Sequence, residues 1–435
     1  MHNFLCNEKV LNTCKIYQML LQNSKNKHLS FHTPGHKVGA WDITELSYSD
    51  NLSAPQGCIL EAERDIARIL GSFQSFILTD GSTSGVLSML YAVKALGARS
   101  VAFCEASHKS VYNGCKLLGL TPFIYPVKRG QNIPYKAPMY ALTEQFPHIF
   151  ENVDVIFLTS PDYYGNIEDL RGWRAYCDQH GKFLLIDGAH GGHLHFDKTL
   201  YAGSVADMWV DGVHKSLPAL TQGAVVSARS EELAEKLREG LDIFRTTSPS
   251  YPIMASVEYA VKYPQNKLLE SYVRQQFQHP NIRISDDWTK VCVLFSEAFE
   301  VEKILQKEGI YPEFCDGECI LFYLSPACKK EDIDRLKECV FTLLEQFPYT
   351  PKMKAQRIHT PLVLKNHEET EWVDLALATG RICALNCGLF PPCTPLLFAG
   401  ERIEKEKIDL LEKADNVFGL KEKKILVLKE ERKHP

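Results

Sequence analysis

The sequence predicts an α/β protein with a large domain built on a mostly parallel sheet, followed by a smaller α+β C-terminal domain. Two observations predict it. From residue 73 to 225 the chain repeats a short apolar run, a turn containing Gly or Ser, and a helical segment, the pattern of parallel strands joined by helices. Beyond TTSPSYPIMAS (246–256) short strands alternate instead with charged helices. At 435 residues, 45% of them hydrophobic, the chain has apolar surface enough for both domains.

An N-terminal helix is expected over about 9–23, then an irregular arm carrying HTPGHKVG (32–39) and a helix around 61–70. The candidate strands SFILT (75–79), SVAFC (100–104), DVIFLT (154–159), KFLLID (182–187) and ADMWV (206–210) are rich in β-branched or aromatic residues, and each runs into polar ones. Open α/β sheets bind ligands beyond the carboxyl ends of their strands, so a site is expected there. Further on, KVCVLF (290–295) and CILFYL (319–324) read as strands and KKEDIDRLKECVFTLLEQF (329–347) as a helix, while the charged tail KEKKILVLKEERKHP is expected to fray. The resulting division is an N-terminal helix and arm (1–45), a large domain (46–265) and a C-terminal α+β domain (266–435).

A formal net charge of -5 and a pI near 6.3 provide no field to gather nucleic acid or an anionic membrane surface. The N-terminus has no unbroken apolar h-region, and no apolar run is long enough to cross a bilayer. A soluble, cytoplasmic chain is the expectation. The fourteen cysteines are scattered, and the closest pairs, Cys315/Cys319 and Cys383/Cys387, lack the spacing of a metal knuckle. Reduced, mostly buried thiols are expected.

Three segments could carry chemistry. In TDGSTSGVLSMLYAVKALG (79–97) a strand ends in a Gly and hydroxyl cluster from which a helix starts. Ser82, Thr83 and Ser84 could seat an anion on the free N–H groups there, or cap the helix in the ordinary way. In KFLLIDGAHGGHLHF (182–196) Asp187 closes an apolar strand, where an ionised carboxylate needs a cation or a turn to cap. His190, His193 and His195 follow without an acidic or Cys cluster nearby, so no metal is expected. In ADMWVDGVHKSLPALTQGAVV (206–226) Lys215 lies just beyond a strand. An anion seat, a strand-end Asp and a strand-end Lys, in that order, are the contacts a phosphorylated pyridine aldehyde requires.

These residues resemble the fold-type-I pyridoxal-phosphate decarboxylases of ornithine, lysine and arginine, in the short bacterial form without an N-terminal wing domain. The likeness runs through most of the chain, in HTPGHKVG (32–39), PQGCILEAE (55–63), TDGSTSG (79–85), ASHKSVYNG (106–114), TSPDYYG (159–165), IDGAHGGHLHF (186–196), VHKSL (213–217), TTSPSY (246–251) and FPPCTPLLFAGE (390–401). It implies an aspartate-aminotransferase-like large domain and pyridoxal 5′-phosphate as cofactor. Lys215 would carry that cofactor as a Schiff base, Asp187 would pair with the pyridine nitrogen and His108 would stack on the ring. Ser82, Thr83, Ser84 and His214 would surround the phosphate, Thr247 would reach the phosphate of a neighbouring subunit in a homodimer, and His190 would lie near the phenolic oxygen. Lys215 or His214 would return a proton to Cα, and Glu401 would meet the distal cation of a basic amino acid.

The chain departs from the pattern where Gly212 replaces a Ser, Gly188 an acidic residue and Asp162 a Thr. The implied reaction is decarboxylation of arginine, lysine or ornithine, serving polyamine metabolism. The alternatives are another fold-type-I reaction such as amino-group transfer, or a weakly active cofactor-binding paralogue.

Overall fold

The computed structural model describes residues 6–26, 29–37, 41–125, 143–144, 146–349, 369–389, 394–414 and 416–429. At its centre is a seven-stranded sheet of β1 (Gln74–Leu78), β2 (Ser100–Cys104), β3 (Thr121–Tyr125), β4 (Val155–Thr159), β5 (Phe183–Gly188), β6 (Met208–Asp211) and β7 (Ala224–Ala228), in the order β1-β7-β6-β5-β4-β2-β3. The run from β6 to β3 is parallel, and β7 is antiparallel to both of its neighbours. This is the predicted α/β class with a mostly parallel sheet.

Side chains alternate across the strands. Ile77, Ala102, Ile156, Leu184, Ile186 and Trp209 enter the core on one face, while Phe76, Val101, Phe103, Phe157, Leu185 and Val210 enter the core on the other. With both faces covered by helices, the strands read as continuous apolar runs. Two strands were not among those predicted. β3 contains Pro122, which an edge strand tolerates because one side of its backbone has no ladder to complete. β7 lies behind the Gln-Gly turn at 222–223.

The N-terminal helix is Lys15–Ser24, and the next long helix is Cys58–Leu70. The first has no side-chain cap of its own. Instead Glu258, fully buried on the helix Tyr251–Val261, accepts from the amides of Lys15 at 2.7 Å and Ile16 at 3.0 Å. Lys262 completes the arrangement by pairing with Glu258 at 2.8 Å and Asp65 at 2.9 Å. One buried carboxylate thus docks the N-terminal segment on the large domain.

After residue 266 the chain forms an antiparallel sheet of β8 (Ile282–Ile284), β9 (Lys290–Leu294), β10 (Phe314–Cys315) and β11 (Cys319–Tyr323), with the helix Lys330–Gln346 packed in the same core. A separate small core gathers residues 375–427, around Cys383, Leu397 and Val427. Residues Lys424–Leu428, in the tail expected to fray, are a strand paired with Thr370–Asp374, because Ile425 and Val427 are buried in that small core. No helix among the described residues is long and apolar enough to cross a membrane.

Replacing Glu258 with Ala should lower stability by about 3 kcal/mol, since it leaves two helix-start amides and a buried ammonium short of partners. A urea titration with an unchanged m-value checks this. A midpoint equal to that of the wild type contradicts the docking role.

Candidate active site

The carboxyl ends of β1, β2, β4, β5 and β6 open on one edge of the large sheet, and antiparallel β7 begins there. At the end of β1, Gly81 takes a φ of 83°, a conformation that favours Gly, and turns the chain into the helix Ser82–Ala95. The Ser82 hydroxyl is buried at this helix start and has no hydrogen-bond partner among the described residues, while Thr83 is exposed. Ser84 has a different task. Its hydroxyl donates to Asp80 at 2.7 Å, and the other oxygen of Asp80 accepts from the Thr246 amide at 3.0 Å. The turn is thereby tied to the exposed segment that carries Thr247.

Asp187 is buried at the end of β5, where it accepts from the Ala189 amide at 3.0 Å. Beyond β6 a single helical turn, Val213–Ser216, presents His214 and Lys215. His214 Nδ1 donates to the Gly223 carbonyl at 2.8 Å, so its ring proton lies on that side. The Lys215 amine lies 3.2 Å from His190 Nε2. His108 is the N-cap of the helix Lys109–Leu118, with Nδ1 accepting from the Ser110 amide at 3.2 Å.

Electrostatics unite these groups. Burial first, and then the charge of Lys215, lowers His108 to about 4 and His190 well below the usual imidazole range. Burial also lowers His214, against the pull of its Gly223 bond. All three rings are therefore neutral at pH 7 beside one lysine.

The three histidines after β5 diverge. His190 faces Lys215, His193 Nε2 meets Asp287 at 2.8 Å, and His195 Nδ1 donates to the Gly192 carbonyl at 2.7 Å. Asp162 is explained by its loop: its carboxylate accepts from the amides of Tyr164 and Asn166, at 2.9 Å each, and closes the SPDYYG turn. That turn holds the Tyr163 ring edge-on to His190, with centroids 5.2 Å apart.

Glu401 is engaged within the C-terminal region. It pairs with Lys407 and accepts from the Phe398 amide at 3.0 Å, so a substrate cation at this carboxylate would share it with Lys407 or displace it. Residues that the sequence did not single out also reach the site. Tyr323 on β11 lies 3.1 Å from His190 Nδ1, and Lys290, fully buried at the start of β9, donates to the His190 carbonyl at 3.1 Å. Asp287 pairs with Lys290 at 2.9 Å. Burial alone would raise the Asp287 carboxyl, but His193 and Lys290 hold it well below the carboxylate range.

Both unusual glycines have steric causes. A Cβ at Gly212 would stand 2.5 Å from the Ala189 carbonyl and 3.0 Å from the Ser82 hydroxyl, so a Ser does not fit this backbone. A Cβ at Gly188 would stand 3.0 Å from Asp211 Oδ1, its partner across β5 and β6, and 3.0 Å from the Val210 carbonyl, a tight contact. Asp211 is held by Tyr201 at 2.6 Å and Trp209 at 3.1 Å. Burial and nearby Asp187 nevertheless push it up to about 7. A folded-state value above the usual carboxylate value, about 4, means that the folded protein binds this proton more tightly than the unfolded chain does. The stability it confers is full at low pH and drains away as pH rises from about 4 to about 7, by up to about 4 kcal/mol. Denaturation of the wild type and Asp211→Asn across that range should show their difference changing in this direction. A difference that stays flat with pH would mean that Asp211 titrates as an ordinary acid.

Comparison with known proteins identifies the family. Residues 40–283 match the family described as Orn/Lys/Arg decarboxylase, major domain. An uncharacterized protein of Bacillus subtilis, YaaO, is 28% identical over 96% of this chain and 99% of its own length. The arginine decarboxylase of the same species is 25% identical over 91% of this chain and 92% of its own length. The solved constitutive lysine decarboxylase of Escherichia coli has a TM-score of 0.73 at 19% identity, over 97% of this chain and 82% of that one, a likeness of fold. With its central sheet of that type and a family match across more than half of its residues, the chain belongs to the Orn/Lys/Arg decarboxylase family.

Proposed function

We propose that this chain is a pyridoxal 5′-phosphate-dependent carboxy-lyase that converts arginine, lysine or ornithine to the corresponding amine. The observation that carries the reading is the convergence of a lysine amine, a buried carboxylate and an unpartnered buried hydroxyl at one sheet edge. The donor set fits the cofactor. Ser82, with Thr83 and the helix start behind them, can hold a phosphate on free N–H and O–H groups. Asp187 can meet a protonated ring nitrogen, whose charge would repay the cost of burying that carboxylate. His108 can lie against the ring face, and Thr247 would serve the phosphate of a partner subunit. When bound, pyridoxal phosphate supplies an electron sink for cleavage of the Cα–carboxylate bond.

The protein's own share is positioning and proton transfer. Of the two candidate donors, His214 is the weaker, because its ring is neutral and its single proton is bound to the Gly223 carbonyl. Lys215 is therefore the group that delivers a proton to Cα. Glu401 would receive the substrate's distal cation beside Lys407 or in its place. At Gly212 the backbone leaves no room for a Ser, so its absence is no mark of an inactive paralogue.

Incubation with pyridoxal phosphate followed by borohydride should label Lys215, and arginine, lysine or ornithine should release carbon dioxide. Lys215→Ala should lose both, whereas release of a keto acid would indicate amino-group transfer. Labelling at another residue sinks the assignment. Glu401→Gln should raise KM for the basic amino acid about tenfold to a hundredfold, the worth of a hydrogen bond to a charged group, with Lys215 still labelled. An unchanged KM removes Glu401 from the substrate site.

A further inference from the structure

A chain of hydrogen bonds reaches Lys215 from the C-terminal sheet, and its meaning rests on the reading above. Tyr323 donates its hydroxyl to the Tyr163 carbonyl at 2.9 Å. A phenol has one proton, so with that proton committed the same oxygen, 3.1 Å from His190 Nδ1, can only accept. Nδ1 therefore carries the imidazole hydrogen, and Nε2, which lies 3.2 Å from the Lys215 amine, keeps its lone pair.

The opposite tautomer would set an N–H against an amine that also donates. A charged ring would be worse placed. The Lys290 ammonium is fixed behind His190 by the His190 carbonyl at 3.1 Å, Thr289 Oγ1 at 2.8 Å and Asp287 at 2.9 Å. An imidazolium would then lie between two amines, with Asp287, already paired with Lys290, as the carboxylate that offsets them. We infer that Tyr323 is a positioning residue that fixes His190 as its Nδ1–H tautomer, so that Nε2 accepts a hydrogen bond from Lys215. Burial and the two neighbouring lysines both disfavour ring protonation, in keeping with this arrangement.

The consequence is that the large sheet does not complete the site alone. The atom that orients the reactive amine is itself oriented by β11, more than a hundred residues further along the chain. His190 lies between the two, meeting Tyr323 through Nδ1 and Lys215 through Nε2, so the influence of Tyr323 is read through His190.

The test is the rate at which added pyridoxal phosphate combines with Lys215 in the full chain, read by absorbance and checked by borohydride labelling. Wild type, Tyr323→Phe, His190→Gln and the double variant are compared. Tyr323→Phe should slow combination about tenfold, the worth of one oriented hydrogen bond. In the His190→Gln background the same change should add nothing, a non-additivity that general loosening of the fold would not produce. Equal rates for wild type and Tyr323→Phe overturn the inference, and so does a double variant slower than His190→Gln by the full tenfold. No labelling of the wild type sinks the proposed function itself, and is told apart by the wild-type control. Should Tyr323→Phe fail to fold, two-bond 1H–15N correlations in histidine-labelled wild type decide the matter, with His190→Gln identifying the signals. A protonated Nδ1 and a bare Nε2 support the inference, and a protonated Nε2 overturns it.

Discussion

Lys290 and Asp287 form an ion pair with both side chains fully buried, and such a pair is tolerated only where the remaining donors and acceptors are met. Most of them are met across two parts of the fold. Lys290 donates to the carbonyl of His190, in the loop after β5, and Asp287 receives His193 from the same loop. The requirement to satisfy these charges holds the C-terminal sheet against the carboxyl edge of the large sheet and fixes the direction of the loop between. His190 is placed by that joint, and Lys215 is placed by His190.

The same edge has to accommodate several titratable groups at close quarters without stranding charge. It does so by leaving three imidazoles neutral around one amine. Each imidazole is held in one tautomer or orientation by a specific partner: Ser110 for His108, Tyr323 for His190 and the Gly223 carbonyl for His214. An amine among neutral rings keeps its proton chemistry to itself, a property that suits the covalent and proton-transfer roles proposed for Lys215.

Steric exclusion explains what looked like losses. At Gly212 the backbone lies against the Ala189 carbonyl and the Ser82 hydroxyl, and at Gly188 it lies against Asp211. A side chain at Gly212 would meet backbone that cannot yield, whereas one at Gly188 would need its neighbours to give by a few tenths of an ångström.

The sequence by itself determined the class of fold and the strands β1, β2, β4, β5 and β6, because apolar runs between turns are a local signal. It also identified the edge carrying Ser82, Asp187 and Lys215, because open sheets display their strand ends there. It left open which hydroxyl is unpartnered, and only the tertiary structure separates Ser82 from Ser84, whose proton goes to Asp80. Pro122 concealed β3, since a proline argues against a strand until the strand is seen to lie at an edge. Tyr323, Tyr163, Lys290 and Asp287 were illegible for a different reason. Tyr323 lies 133 positions from His190 and Lys290 lies 100, and no periodicity along a chain reports which buried charge will face which when two sheets meet.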